Sequence, residues 1–533
     1  MNESSKIAHR FWDLAQSQPE KLALRFGMPG QTEDHDFAKF WRRVQRVTGH
    51  LQSTFGLSTG QRVSWLGLNH ELQLVTLVAC ARLGLIFMPL NFRLAVAEIS
   101  MVLKDAEPSL LIHDEGHAEV ARSLMVDVPE SSHASHVCQV CHLDELISTS
   151  SSKLLNLPQV SENADVLLVY TSGTTGLPKG AVHTQSGLLA NAKASQEAHA
   201  FASNDVVLST LPMFHVGGLC IQTLPALLSG VSVHLHPRFD AGAWLAAVEA
   251  GPFSERPTVS LLVPATLRAV LDHAQWKTAD LTSLRGIMAG SSILPKAYLE
   301  KFHERGIPVG QIYGTTETGP VSVILKFKDA VQRVGWAGWP HSNLAVQLVN
   351  ADGAPVAAGE TGEVCVQAPN VMRGYWRSTD KDARTTFKDS DGLKEAWFCT
   401  GDMGYLDASG CLQIVGRNKD MIISGGENIH PAEIENVLVS LPGVAECAVV
   451  GLPNEKWGEV PVLAVIQTDS PEGADLTEEK VLQHLLQRIA RFKLPRRVVF
   501  LNHFPKSALG KVQKPLLQQQ LLTLKAEPNS TKG

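Results

Sequence analysis

From about residue 60 to residue 350 the chain alternates short apolar, β-branched runs with stretches of helical spacing. Arg62–Leu66, Val166–Tyr170, Val206–Leu211, Val231–His236, Ser260–Pro264, Gly286–Ala289 and Val309–Tyr313 predict strands. Between them Gly187–Ala200, Ala241–Ala250 and Ala265–His273 carry the three-to-four spacing of helices. Strands alternating with helices build parallel sheets covered on both faces, and this length requires more than one such layer. The first residues predict an amphipathic helix after Ser4-Ser5. The most apolar stretch, Leu72–Leu90, contains Arg82 and is broken by Pro89, so it reads as a buried helix followed by a strand, not a membrane span.

After about Asn343 the texture changes. Gly- and Pro-punctuated runs at Ala345–Val349, Gly362–Val366, Gly404–Asp407 and Cys411–Val415 predict an antiparallel β unit. Gly416–Asp420 is a polar, charged break suited to a hinge. Beyond it Pro431–Val439, Val444–Gly451, Pro461–Gln467 and Glu478–Ile489 read as α, β, β, α, a small α+β domain of about a hundred residues. The tail from about Ala526 is polar and expected to fray.

Composition narrows the class. With 44% hydrophobic and 19% charged residues among 533, the chain is an ordinary globular protein; disorder, collagen-like repeats and a long coiled coil are excluded. A net charge of −6 argues against bulk binding to nucleic acid or anionic membrane, and leaves room for a basic groove around one small polyanion. The N-terminus lacks the apolar core of a signal peptide, so a cytoplasmic location and eight reduced cysteines are expected. Cys138-Gln-Val-Cys141-His142, with His133 and His136 upstream, matches a haem-attachment pattern, but that chemistry needs export. A zinc site would need two further ligands. Amid turn-rich serines the pair reads as a surface loop.

The strongest chemical signal is Tyr170-Thr-Ser-Gly-Thr-Thr-Gly-Leu-Pro-Lys-Gly180. It follows an apolar strand and is expected to lead into a helix. Glycines let backbone N–H groups approach phosphate oxygens, hydroxyls add donors, and Lys179 neutralises charge. The spacing is not that of a Walker A loop. Downstream, Gln311-Ile-Tyr-Gly-Thr-Thr-Glu-Thr-Gly-Pro320 sets the carboxylate of Glu317 among hydroxyls, suited to holding Mg²⁺ against phosphate. Asp402 in Thr400-Gly-Asp is placed like a ribose-hydroxyl acceptor, Arg417 opens the polar break, and Gly510-Lys511 sits in a loop near the end.

These segments, with GRNKDMIISGGENI and PKSALGKVQK in the same order, resemble the adenylate-forming (AMP-binding) family: acyl-CoA synthetases, including the fatty acid–CoA ligase branch, carrier-loading adenylation domains and beetle luciferases. The resemblance spans residue 10 to Lys514. It implies an α/β fold with a large N-terminal domain of stacked, mostly parallel sheets with helices plus a β subdomain (1–418). A small mobile α+β C-terminal domain (419–533) would hinge at Lys419 and take two orientations. Thr171, Ser172, Gly173, Thr174, Thr175, Gly176 and Lys179 would grip the ATP phosphates. Tyr313 would stack on adenine beside Gly314 and Thr315, and Thr316 and Glu317 would meet the α-phosphate and Mg²⁺. Asp402 and Arg417 would contact ribose, Lys511 would be the adenylation lysine, and His215 would flank the acyl pocket. Catalytic roles would thus fall to Lys511, Glu317, Thr171 and His215.

The implied reaction is carboxylate activation by ATP and Mg²⁺ to acyl-AMP, then transfer to coenzyme A. A separate carrier protein is the alternative acceptor, since the 19 residues after Lys514 are too few for a fused carrier. A pocket lined by His215–Cys220, Met288–Ser292 and Gln311–Thr318 is roomy and lacks Arg or Lys, which disfavours dicarboxylates. Medium- or long-chain fatty acids are slightly favoured over aryl acids of the cinnamate or ferulate kind. A non-catalytic nucleotide-binding regulator is opposed by the presence of Lys179, Glu317 and Lys511. The expected partners are the acid, ATP and CoA, with no nucleic acid and no transmembrane segment; a homodimer is left open.

Overall fold

A computed structural model describes residues 5–126, 138–148, 157–171, 178–290, 294–378, 385–388, 394–424, 427–454, 456–506 and 510–524. The chain divides into two compact units: 1–292 with 301–346 and 365–399, and 293–300 with 347–364 and 400–533.

Two large sheets stand in the first unit among the described residues. One runs from Trp339–Pro340 through Val323–Leu325, Val309–Tyr313, Gly286–Gly290, Val259–Leu262, Val206–Ser209, Ser232–Leu235 and Leu22–Met28 to Gln31–Asp36. Its six central strands are parallel, and antiparallel partners close both edges. The other runs from Gly374–Tyr375 through Lys179–Thr184, Asp165–Thr171, Ile86–Pro89, Arg62–Leu66 and Leu110–His113 to Gln139–His142. Trp65 and Phe87 of this sheet share one buried cluster with Val207 and Val233 of the first. Helices Lys6–Ser17, Phe37–Ser53 and Glu71–Leu83 fill that cluster.

Local chemistry explains these helices. Ser5 caps the first through its hydroxyl, and Ile7, Ala8, Phe11, Leu14 and Ala15 form its buried stripe. Glu71–Leu83 is buried at every position, as its predominantly apolar composition all round the helix requires. Arg82 is accommodated with its guanidinium 5.0 Å from the Trp41 ring centroid. Gly84, at φ +68°, ends the helix and turns the chain into strand Ile86–Pro89.

Three expectations need correction. Lys179–Thr184 is a strand antiparallel to Asp165–Thr171, so the glycine-rich loop tips a β-hairpin instead of leading into a helix. The helix starts only at Gln185, where Thr184 Oγ1 accepts from Gly187 N–H at 3.1 Å. Gln139–His142 is an edge strand parallel to Leu110–His113, so Cys141 is buried and no surface-loop residue. His133, His136 and the neighbouring serines at 131–135 lie outside the described residues. Finally, Cys365 and Cys399 form a disulfide, their Cα atoms 4.0 Å apart, where all eight cysteines were expected reduced. The other six cysteines form no disulfide.

In the second unit Asp402–Leu406 pairs antiparallel with Leu412–Arg417, and the polar break becomes a 3₁₀ turn at Asn418–Asp420. A five-stranded sheet follows: Glu427–Ile429, Ile422–Ser424, Gly458–Gln467 and Val444–Asn454 in order, with Arg497–Phe500 parallel to Gly458–Gln467. Alternation decides its covering. Val449, Leu463 and Val465 pack with Ile434, Leu438, Val481 and Leu485 of helices Pro431–Leu438 and Glu478–Leu486. Ala448, Val450, Val462 and Ala464 pack with Leu517 and Leu521 of Lys514–Thr523, a helix the sequence reading missed. The polar tail from Ala526 lies outside the described residues, as does Gly425 of the GRNKDMIISGGENI segment. Among the described residues no helix is long and apolar enough to cross a membrane.

Candidate active site

The glycine-rich loop springs from a hairpin whose last register pair is Thr171 with Lys179. Thr171 is half-buried and its Oγ1 donates to the Lys179 carbonyl at 3.4 Å, while Lys179 is exposed. Ser172, Gly173, Thr174, Thr175 and Gly176 lie outside the described residues. The helix next in sequence begins only at Gln185, so its N-terminus does not adjoin Lys179 in the chain, and Lys179 is the charged side chain that the motif itself supplies.

The second motif leaves strand Val309–Tyr313 through Gly314. A Cβ there would meet the Pro320 oxygen at 2.1 Å, so glycine is required. Thr318 Oγ1 accepts from the Thr315 N–H at 2.9 Å and from Ser322 Oγ at 2.9 Å. Buried Asn370 donates to the carbonyls of Thr318 and Val321 at 2.9 and 3.0 Å. The Met372 N–H donates to the Glu317 carbonyl at 2.7 Å. Thr316 is thereby held buried and Glu317 half-buried on a loop fixed from two sides. The Thr315 hydroxyl oxygen is buried and finds no hydrogen-bond partner among the described residues.

Tyr375, which no motif marked, joins the two loops. The short strand Gly374–Tyr375 pairs with Val182 and Ala181. From there the Tyr375 hydroxyl donates to Glu317 Oε1 at 3.0 Å, and Lys179 Nζ lies 5.2 Å from the ring centroid. Burial, reinforced by the Glu317 charge, pushes the Tyr375 pKa up, so the hydroxyl stays a donor. Asn370 and Tyr375 are the site residues that sequence reasoning missed. Neither carries a local signal: both meet the second motif through hydrogen bonds that span about fifty residues of chain.

The donor set suits a hard cation. Among the described residues only Tyr375 donates to the Glu317 carboxylate, and through Oε1, leaving Oε2 available. Mg²⁺ is commonly bound by one or two carboxylates with substrate phosphates, so Glu317 fits. No group of three potential ligands gathers among the described residues.

In the second unit, Asp402 and Arg417 face each other across one antiparallel ladder, Arg417 Nε lying 2.9 Å from Asp402 Oδ1. The Asp402 N–H donates to Thr400 Oγ1 at 3.1 Å, and that hydroxyl donates to the Val364 carbonyl at 2.9 Å. Lys511 follows Gly510, which adopts φ +77°. Although Lys511 is an exposed residue, protein packed around its side chain lowers its pKa from the ordinary lysine value. The nearby Arg417 charge adds to that shift and Asp402 opposes it.

His215 accepts the Gly217 N–H on Nδ1 at 2.9 Å and caps the turn Val216–Gly218. A Cβ on Gly218 would meet the Pro212 oxygen at 2.3 Å, so the turn lies hard against the loop carrying His215. Leu211, Ile221, Leu261, Met288 and Ile312 form one buried apolar cluster there. Phe214 meets Phe92 edge to face at 5.3 Å. Sequence reasoning left this region without a cation, but the Arg93 guanidinium lies 5.8 Å from the Phe214 ring centroid. Ser291 and Ser292 lie outside the described residues.

The sequence matches the AMP-binding enzyme family over residues 11–376 and the AMP-binding enzyme C-terminal domain over 433–511. The chain belongs to this family. It is 43% identical over 505 residues to an indoleacetate–CoA ligase of Aromatoleum aromaticum, covering 94% of this chain and 95% of the relative. A feruloyl-CoA synthase of an Amycolatopsis species is 37% identical, with 94% and 96% covered. A long-chain-fatty-acid–CoA ligase of Mycobacterium tuberculosis is 33% identical, with 88% and 90% covered. Among solved structures, o-succinylbenzoate coenzyme A synthetase from Bacillus subtilis with ATP and magnesium ion superposes with a TM-score of 0.81 at 28% identity, covering 96% of this chain and 99% of that one.

Proposed function

We propose that this protein is an aryl-acid–CoA ligase, acting on an arylalkanoate or cinnamate-type acid. The activity class itself is that of an AMP-forming acid–thiol ligase, with ATP, Mg²⁺ and coenzyme A as reactants. The reading of the acid rests on one observation: 43% identity along essentially the whole chain to an indoleacetate–CoA ligase. The fatty-acid reading is the second, favoured by the 33% identity to the Mycobacterium tuberculosis ligase.

The proposed chemistry has two displacements. A carboxylate oxygen of the acid attacks the α-phosphorus and pyrophosphate leaves; the CoA thiolate then attacks the acyl carbon and AMP leaves. Both begin by bringing anions together, so fixed positive charge and preorganised donors lower the barrier. In this reading Thr171, Lys179 and the loop residues Ser172–Gly176 hold the β- and γ-phosphates. Thr316 donates to the α-phosphate, and Glu317, oriented by Tyr375, is the protein's ligand to the ion. When bound, Mg²⁺ would supply charge neutralisation at the phosphates. Tyr313, with Gly314 and Thr315, holds adenine, and Asp402 and Arg417 hold ribose. Lys511 stabilises charge in adenylation, and His215 borders the acyl pocket. The domains are 1–418 and 419–533, with the hinge at Lys419.

A panel of aryl, straight-chain and dicarboxylic acids, followed by CoA-dependent AMP release, tests this. Higher kcat/KM for aryl acids is expected; preference for a straight-chain acid would overturn the aryl reading and leave the ligase class intact.

A further inference from the structure

The turn after His215 continues as a π-helical segment, Leu219–Thr223, a rare conformation that concentrates at functional sites. Within it Gln222 is 1% exposed, yet neither Oε1 nor Nε2 has a hydrogen-bond partner among the described residues. Its neighbours are fully engaged. The Cys220 carbonyl accepts from Asn191 at 2.7 Å and the Ile221 carbonyl from Ser195 at 2.5 Å. The Thr223 hydroxyl is hydrogen-bonded to Ser209 and to the Gly218 carbonyl, each at 2.6 Å. The segment is therefore tied down on both sides with two polar ends of Gln222 unmet. Thr210, next to Ser209, is also 1% exposed with an unpartnered hydroxyl.

A buried amide with both ends unmet is destabilising, and such a group calls for an ordered water or another molecule to complete it. The location indicates which molecule. Ser209 ends a central strand of the parallel sheet, and ligands of such sheets bind beyond the carboxyl ends of the strands. Gly218 presses the same turn onto the carbonyls of Leu211 and Pro212, in the loop that carries His215. Ile221 and Leu211 belong to the apolar cluster beside it.

We propose that Gln222 determines acid specificity: its amide receives a hydrogen-bonding group on the ring of an aryl acid. A ring N–H would donate to Oε1, and a ring hydroxyl could serve both Oε1 and Nε2. Since both ends are unmet, the conclusion does not depend on which way the amide is turned. The inference rests on the aryl-acid reading above.

The test compares wild type with Gln222→Met and Gln222→Leu on matched acids: indole-3-acetate against 1-naphthylacetate, and 4-hydroxyphenylacetate against 4-methylphenylacetate. Wild type should favour the polar member of each pair. Both variants should lower the polar-to-apolar ratio of kcat/KM by about tenfold or more. The ligand-free Tm should hold or rise, because an unmet polar group has been removed. An unchanged ratio would overturn the inference alone, as would a fall in Tm with equal loss on all acids, the mark of a structural residue. If wild type turns over straight-chain acids and no aryl acid, the aryl reading fails and the inference with it.

Discussion

Replacing Tyr375 by Phe removes one oxygen and leaves the ring near Lys179 in place, which isolates the hydrogen bond to Glu317 at 3.0 Å. A hydrogen bond to a charged acceptor nets roughly 1.5–3 kcal/mol, and solvent access to both half-buried partners argues for the lower end. About 1.4 kcal/mol corresponds to about tenfold in rate. If Tyr375 orients the carboxylate for Mg²⁺, Tyr375→Phe should lower kcat/KM for ATP in the pyrophosphate-releasing half-reaction by about tenfold. Raised Mg²⁺ should recover part of that loss, with Tm nearly unchanged. The assay is pyrophosphate release against Mg²⁺ concentration, run beside Glu317→Gln. Full adenylation activity in Tyr375→Phe with Glu317→Gln inactive would refute the reasoning and reduce Tyr375 to packing.

Lys511→Ala should abolish adenylation while still passing a supplied acyl-adenylate to CoA; loss of both half-reactions would contradict a role confined to the first step. Cys365→Ser should lower Tm under non-reducing conditions, since a cross-link over a sequence separation of 34 is worth up to about 4 kcal/mol in the chain-entropy view. Eight free thiols in the native protein would refute the pairing. Burial depresses His183, His199, His234 and His236 to about 4. The unfolded chain binds protons on these rings below about pH 6.5 and the folded chain does not, so stability present above that value drains away as pH falls towards 4. A Tm that stays level from pH 7 to pH 4.5 would contradict this.

Much of the fold was legible because periodicity and burial agree. Arg62–Leu66 and Val309–Tyr313 are strands with the expected bounds, and Glu71–Leu83 with Ile86–Pro89 is the buried helix and strand that the apolar run implied. The hairpin at Lys179–Thr184 was not legible. Its six residues, KGAVHT, run directly into a helix and carry little strand signal, and tertiary pairing decides their state. Tyr375 was hidden for a related reason: it reaches Glu317 across 58 residues, through a two-residue strand whose placement depends on the hairpin. Lys179, Glu317, Asp402, Arg417 and Lys511 could be singled out because phosphate and ribose chemistry restricts which residue types serve it; their roles stand as proposals. The acid could not be, because the apolar residues proposed to line its pocket beside His215 fit an alkyl chain as well as a ring. The disulfide escaped because a reduced compartment was assumed, whereas adjacent strands bring Cys365 and Cys399 together.

One chain is expected to carry an acid through acyl-AMP to a CoA thioester. The direct test is a product balance: ATP, Mg²⁺, CoA and an aryl acid such as indole-3-acetate, with AMP, pyrophosphate and thioester quantified together. Equimolar AMP, pyrophosphate and aryl-CoA are expected. AMP and pyrophosphate without thioester, or thioester formed with ADP and phosphate, would contradict that expectation.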